Sequence, residues 1–206
     1  SSAPDNSMAI PELKNIVLPA TLLFLLLAAT VVFYGEGLTE DNFRQIIRIT
    51  ATSSLALFSL VFSASSLNYF FRDGRWRAVI RARRRLGLSF ALSHAAHLFA
   101  IIAMVEVVFA GDYSQLGDIV GGSVIYLFIF AMAATSNNAS VKLLGARNWV
   151  RLHKTGAYLV WVGLFSSYLG RAINAAGLHY WLYVALGVVL IALRIWVFWD
   201  KRKSVG

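Results

Sequence analysis

The stretch WLYVALGVVLIALRIWVFW, residues 181–199, decides what kind of molecule this is. It is close to the roughly 20 residues that carry a helix across a bilayer, and its aromatic ends suit the two membrane interfaces. A second run of the same kind, LPATLLFLLLAATVVFY, covers residues 18–34. Of the 206 residues, 58% are hydrophobic and only 14% charged. A hydrocarbon solvent offers the backbone no hydrogen bonds, so such a chain satisfies its amides within helices. The sequence reads as an all-α integral membrane protein.

Apolar runs between charged or Gly-rich breaks give crossings near 15–34, 46–70, 86–109, 116–136, 149–170 and 178–199. These make a six-helix transmembrane bundle over residues 15–200, after a polar tail over 1–14 that is partly a cloning scar and before a basic cytoplasmic tail over 201–206. The second crossing contains TATSSLALFSLVFSASS, residues 50–66, whose small hydroxyl side chains permit close approach and place it inside the bundle. Gly121 and Gly122, within the fourth, are read as helix packing. The regions between crossings are too short for a soluble catalytic domain. There is no Gly-rich phosphate loop and no serine-nucleophile elbow, so nucleotide chemistry would need another chain.

Charge sets the direction of threading. RDGRWRAVIRARRRLG, residues 72–87, has seven arginines against one aspartate. Lys142, Arg147 and Arg151 follow the fourth crossing, whereas Glu36, Glu40, Asp41, Asp112 and Asp118 fall on the alternate links. By the positive-inside rule both termini are cytoplasmic. The formal charge of +9 therefore reflects topology and contact with membrane lipid, and no nucleic-acid partner is expected. The absence of cysteine excludes disulfides, iron–sulfur ligation and thiolate zinc.

Four histidines carry the remaining chemistry. His94 and His97 are three residues apart on one face of the third crossing. His153 stands near the start of the fifth, and His179, beside Tyr180 and Trp181, reads as an interfacial anchor. An intramembrane histidine is costly and normally faces the protein interior. Its plain role is a hydrogen bond to a neighbouring helix; its functional role here is axial ligation of a haem between helices. Proton relay is a further possibility, but Glu106 is the main carboxylate within a crossing and lies toward its outer end.

Three segments, RRRLGLSFALSHAAH (83–97), AATSNN (133–138) and LLGARNWVRLHKTGAY (143–158), resemble the ferric reductase-like transmembrane domain family. Within it they are most similar to the bacterial haem-binding membrane subunits of methionine sulfoxide reductase systems. The matching positions are Gly87 and His97, then Thr135, Ser136 and Asn137, then Leu144, Gly145, Trp149, His153 and Tyr158. The resemblance implies a b-type haem between the third and fifth helices and electron passage across the membrane. The donor would be a quinol or a partner flavoprotein on the cytoplasmic side, since the chain has no flavin or nicotinamide domain of its own. It carries His97 and His153 over as iron ligands; helix geometry, not the resemblance, offers His94 as a substitute. Arg83, Arg84, Arg85 and Arg151 become counter-charges for haem propionates or for a donor protein.

The pattern is incomplete. His97 lies eleven residues past Leu86 and His153 four past Trp149, a difference of about 10 Å in depth at about 1.5 Å per residue. The axial nitrogens of one iron are only about 4 Å apart at bonds near 2 Å. Relatives supply a second histidine thirteen residues further along the fifth helix, where this chain has Ser166. Arg83 stands where relatives with two full haem sites have another histidine. Three arrangements stay open: one haem on a single histidine, a bis-histidine site of His94 and His153 closed by tilt, or no haem. The last would make the chain a structural or assembly subunit of a larger membrane complex.

Overall fold

The computed structural model describes residues 9–116, 119–174 and 177–203. They form helices α1 (Ala9–Phe33), α2 (Glu40–Phe71), α3 (Gly74–Val108), α4 (Ile119–Ala134), α5 (Asn138–Asn174) and α6 (Leu178–Lys203), with one short 3-10 turn at Tyr113–Leu116. The expected all-helical membrane bundle is what the chain builds. Within α1, α2, α3 and α6 lie segments each long and apolar enough to cross a bilayer, and α4 and α5 pass that test as a pair bent by 117°. Asp118, assigned to the link before the fourth crossing, and the ends 1–8 and 204–206 lie outside the described residues.

Helix ends differ from the apolar boundaries. The arginine-rich segment expected as a link is helical from Gly74 onward, because hydropathy marks only what sits in lipid while arginine and alanine are good helix formers in water. At 35 residues, α3 is about 52 Å long against a hydrocarbon core of about 30 Å, so its basic end extends into the headgroup region. Asp73 starts it, accepting from the Trp76 N–H at 3.0 Å. Likewise α5 begins at Asn138 rather than 149, then breaks at Gly145, whose φ of 74° is the left-handed conformation glycine tolerates.

The chain divides into two compact units, residues 1–61 with 78–119, and residues 62–77 with 120–206. In the first, Val32, Ile46 and Ala100 form a core joined by Ala28, Phe33 and Ile47, and Phe33 meets Phe43 edge-on at 5.1 Å. The hydroxyl-rich face of α2 is buried as expected: Thr50 is 2% exposed and Ser54 0%. It runs antiparallel to α3, with Thr50 opposite His97, Ser53 opposite Ser93 and Phe58 opposite Phe90.

In the second unit, α4 and α5 form a helical hairpin in strict register. Thr135 meets His153, Met132 meets Gly156 and Ile125 meets Gly163, so each step back along α4 is matched by an equal step forward along α5. Helix α6 lies against α5, where Trp161 Nε1 donates to Gly187 O at 3.0 Å and the Phe165 ring fills the space a Gly187 side chain would take. Close helix approach therefore falls at Gly156, Gly163 and Gly187. The expectation for the Gly121–Gly122 pair is corrected at Gly122, which has open space where a Cβ would be.

Candidate functional site

The first unit places His97 against Thr50 and Ile47. His97 Nδ1 lies 3.1 Å from Ile47 O and 3.2 Å from Thr50 Oγ1. A carbonyl can only accept, so the nitrogen facing it is the protonated one. The Thr50 hydroxyl agrees, since its hydrogen is directed at Ile46 O, 2.8 Å away, leaving its oxygen to accept. Neutral His97 is thereby the Nδ1–H tautomer, with its lone pair on Nε2. The carbonyl of Thr50 is held as well: Ser93, one turn before His97 on α3, donates to it at 3.2 Å. Ser54 Oγ, on α2, donates to Ser93 at 3.0 Å.

His94 stands behind His97, rings stacked at 5.4 Å and 25°, and Phe90 continues the stack at 5.5 Å from His94. The i, i+3, i+4 spacing of one helical face produces this column. His94 is buried, at 8% exposure.

The second unit has a clasp of the same plan. Thr135, just past α4, has its hydroxyl 3.1 Å from His153 Nε2 and its carbonyl 2.8 Å from Trp149 Nε1, which donates to it. Trp149 and His153, one turn apart on α5, stack at 4.1 Å. The Thr135 hydrogen is spent on Ala131 O at 2.7 Å, so Oγ1 accepts and His153 Nε2 is the donor. Its lone pair, in the neutral ring, is on Nδ1. Two threonines thus hold two histidines by opposite ring nitrogens.

The remaining motif residues have local work of their own. Asn137 caps α5 by accepting from the Ser140 N–H at 2.7 Å, and Ser136 bonds back to Met132 O at 2.7 Å. Gly145 makes the break that starts the long part of α5. Tyr158 meets Phe62 edge-on at 5.8 Å, with the Arg194 guanidinium 5.3 Å from its own ring. Arg84, Arg85 and Arg151 are exposed and Arg83 half-buried. Ser166 is exposed and bonds back to Gly163 O at 3.1 Å; His179 is exposed against Tyr180, 4.1 Å between rings. Thr50 carried no motif signal in the sequence.

Among the described residues no three of His, Asp and Glu converge as a bare metal ion would require. A haem asks less of the protein, because the porphyrin supplies the equatorial nitrogens and a single imidazole suffices for an axial bond.

Comparison with known proteins agrees with the family resemblance. The chain is 26% identical over 192 residues to the protein-methionine-sulfoxide reductase heme-binding subunit MsrQ of Polaromonas naphthalenivorans, covering 90% of this chain and 86% of that one. It is 30% identical over 168 residues to MsrQ of Ralstonia nicotianae, covering 77% and 74% respectively. The chain belongs to the MsrQ family. A third MsrQ, from Azospira oryzae, is 24% identical over 179 residues, 84% of this chain and 76% of its own length. No protein-family model matches the chain, and no solved structure does. Membership in the MsrQ family, together with the helical architecture, makes this an integral membrane protein.

Proposed function

We propose that this MsrQ-family chain relays electrons through the membrane by way of a b-type haem that His97 would hold. One observation carries the reading: the Nδ1–H of His97 is tied to Ile47 O, the arrangement that turns an imidazole's Nε2 lone pair toward a metal. The name that the curated relatives carry, heme-binding subunit, points to the same group. When bound, haem supplies a one-electron redox centre.

The chain's own residues bind, orient and insulate. His97 is held between α2 and α3 with its ring angle set by Ile47 and Thr50. His153 is the second metal-ligand candidate. Its Nε2 is committed to Thr135, so it offers Nδ1 unless that bond opens, and His94 is the substitute. Arg83, Arg84, Arg85 and Arg151 serve as counter-charges to propionates or to an acidic donor protein. Arg-rich α3, together with Lys142, Arg147 and the Lys201–Lys203 end of α6, supports cytoplasmic termini in a bacterial inner membrane. Electrons enter there from a partner protein or a quinol and leave at the opposite face.

Optical spectra of protein expressed with ample haem, oxidised and dithionite-reduced, test this. A Soret band with reduced alpha and beta bands, lost in His97→Ala, is the expected result. No haem signal in the wild-type chain would overturn the relay and favour the structural-subunit reading, for which the exposed, self-bonded Ser166 at the missing ligand position speaks.

A further inference from the structure

The two threonine clasps share one plan and take different ring nitrogens. Each threonine hydroxyl gives its hydrogen to a carbonyl of its own chain, Ile46 for Thr50 and Ala131 for Thr135, and accepts from a histidine. Each threonine carbonyl is also held by the residue one turn before that histidine, Ser93 or Trp149. Thr50 takes Nδ1 at 3.2 Å while Thr135 takes Nε2 at 3.1 Å. Nothing in residue type distinguishes the two threonines. Both threonines have an i−3 carbonyl in reach, Ile47 O and Met132 O; at Thr50 that carbonyl also takes the Nδ1–H of His97.

We propose that Thr50 is a positioning residue that sets the donor strength of His97, an inference that rests on His97 being the axial ligand. Donation of Nδ1–H to an oxygen gives the ring partial imidazolate character and makes Nε2 a more basic ligand. A more basic ligand favours the ferric over the ferrous state and lowers the reduction potential. Ile47 O cannot be altered by a side-chain change, so the adjustable part of this bond is the Thr50 hydroxyl. It is 2% exposed, and its hydrogen is directed to Ile46 O with Ile47 O also in reach at 3.1 Å. The oxygen lone pair is therefore kept on His97 without competition from bulk water. Ser93, bonded to the Thr50 carbonyl and to Ser53 at 2.7 Å, keeps the turn in register with α3.

The test uses the full chain in nanodiscs with Thr50→Val, which keeps the side-chain shape, and Thr50→Ser, which keeps the hydroxyl. In haem-free, 15N-histidine-labelled protein at alkaline pH, His97 is expected as the Nδ1–H tautomer and His153 as Nε2–H. The His97 Nδ1–H proton should move upfield in Thr50→Val and stay in place in Thr50→Ser. In haem-loaded protein, Thr50→Val should raise the midpoint potential and Thr50→Ser should restore it, with the absorption spectrum still that of a histidine-ligated haem. An Nε2–H tautomer at His97, or a wild-type potential and proton shift in Thr50→Val, would overturn the assignment. Failure of the underlying reading looks different, since His97→Ala would then retain the haem spectrum unchanged.

Discussion

The guanidinium of Arg194 lies 3.9 Å from the centre of the Phe62 ring, and its Nε–H donates to the carbonyl of the same residue at 3.1 Å. A charge within a span is costly unless its surroundings replace water. Here a π face, a carbonyl and the ring of Tyr158 do so, joining α2, α5 and α6 inside the second unit. Arg194→Met should lower unfolding stability by about 1–2 kcal/mol, the sum of a partly desolvated cation–π contact and one hydrogen bond. Arg194→Lys should recover only part, because an ammonium cannot both stack and donate through Nε. Thermal unfolding in detergent measures both, and a neutral Arg194→Met would refute the joint.

Two of the close-packed glycines should differ in tolerance. A Cβ at Gly156 would come within 2.6 Å of Met132 Sδ, in a flexible side chain that can turn aside. At Gly187 it would meet the Phe165 ring at 2.7 Å, and this ring is also stacked on Trp161 at 5.1 Å. Gly187→Ala is expected to cost about 1–3 kcal/mol as overpacking, and Gly156→Ala clearly less. Parallel melts of the two variants give the ranking directly; the reverse order would show that α5 and α6 do not meet as described.

The Thr135 clasp should matter for stability whether or not haem is present. His153→Ala removes a partly buried hydrogen bond and a stacked ring, and is expected to destabilise the haem-free protein by about 1–2 kcal/mol. Its effect should be strongly non-additive with Thr135→Val, because both changes remove the same bond. A double-mutant cycle on haem-free protein reads this coupling. Simple additivity would mean that the hydroxyl and the imidazole do not interact.

Asp73 supplies an acid-side effect outside the membrane. Its carboxylate accepts from the Trp76 N–H and then from the Arg75 side chain, and these bonds hold it below its usual 3.8. The depressed value means that the contribution is complete above the unfolded carboxyl's value and fades as pH falls through the folded one. Asp73→Asn keeps a side-chain oxygen for the cap but cannot titrate. Its denaturation midpoint should therefore vary less than wild type between about pH 2 and 5. Equal slopes for the two proteins would rule the carboxylate out as a contributor.

The membrane class, the helices and the family were all legible in residue order. Lipid forces every backbone amide into a helix, so apolar length alone marks the spans, and the Ser/Thr face of α2 announced its own burial. The motif segments could be matched without knowing their work, which proved to be caps, breaks and clasps: Asn137 on Ser140, Gly145 at its left-handed φ, Trp149 on Thr135. What hydropathy could not mark was where helices end beyond the bilayer, since arginine-rich segments remain helical in water.

Residue order also determined that His97 and His153 stand one turn beyond a residue able to grip a neighbouring carbonyl. Only the tertiary structure decided which nitrogen each ring presents. That choice depends on helix rotation and register, and between apolar helices in lipid these are set by side-chain interlock rather than by hydrophobic pattern. Ile47 O therefore falls beside one imidazole at Nδ1, while the other meets a hydroxyl at Nε2, a difference of geometry that no spacing of letters encodes.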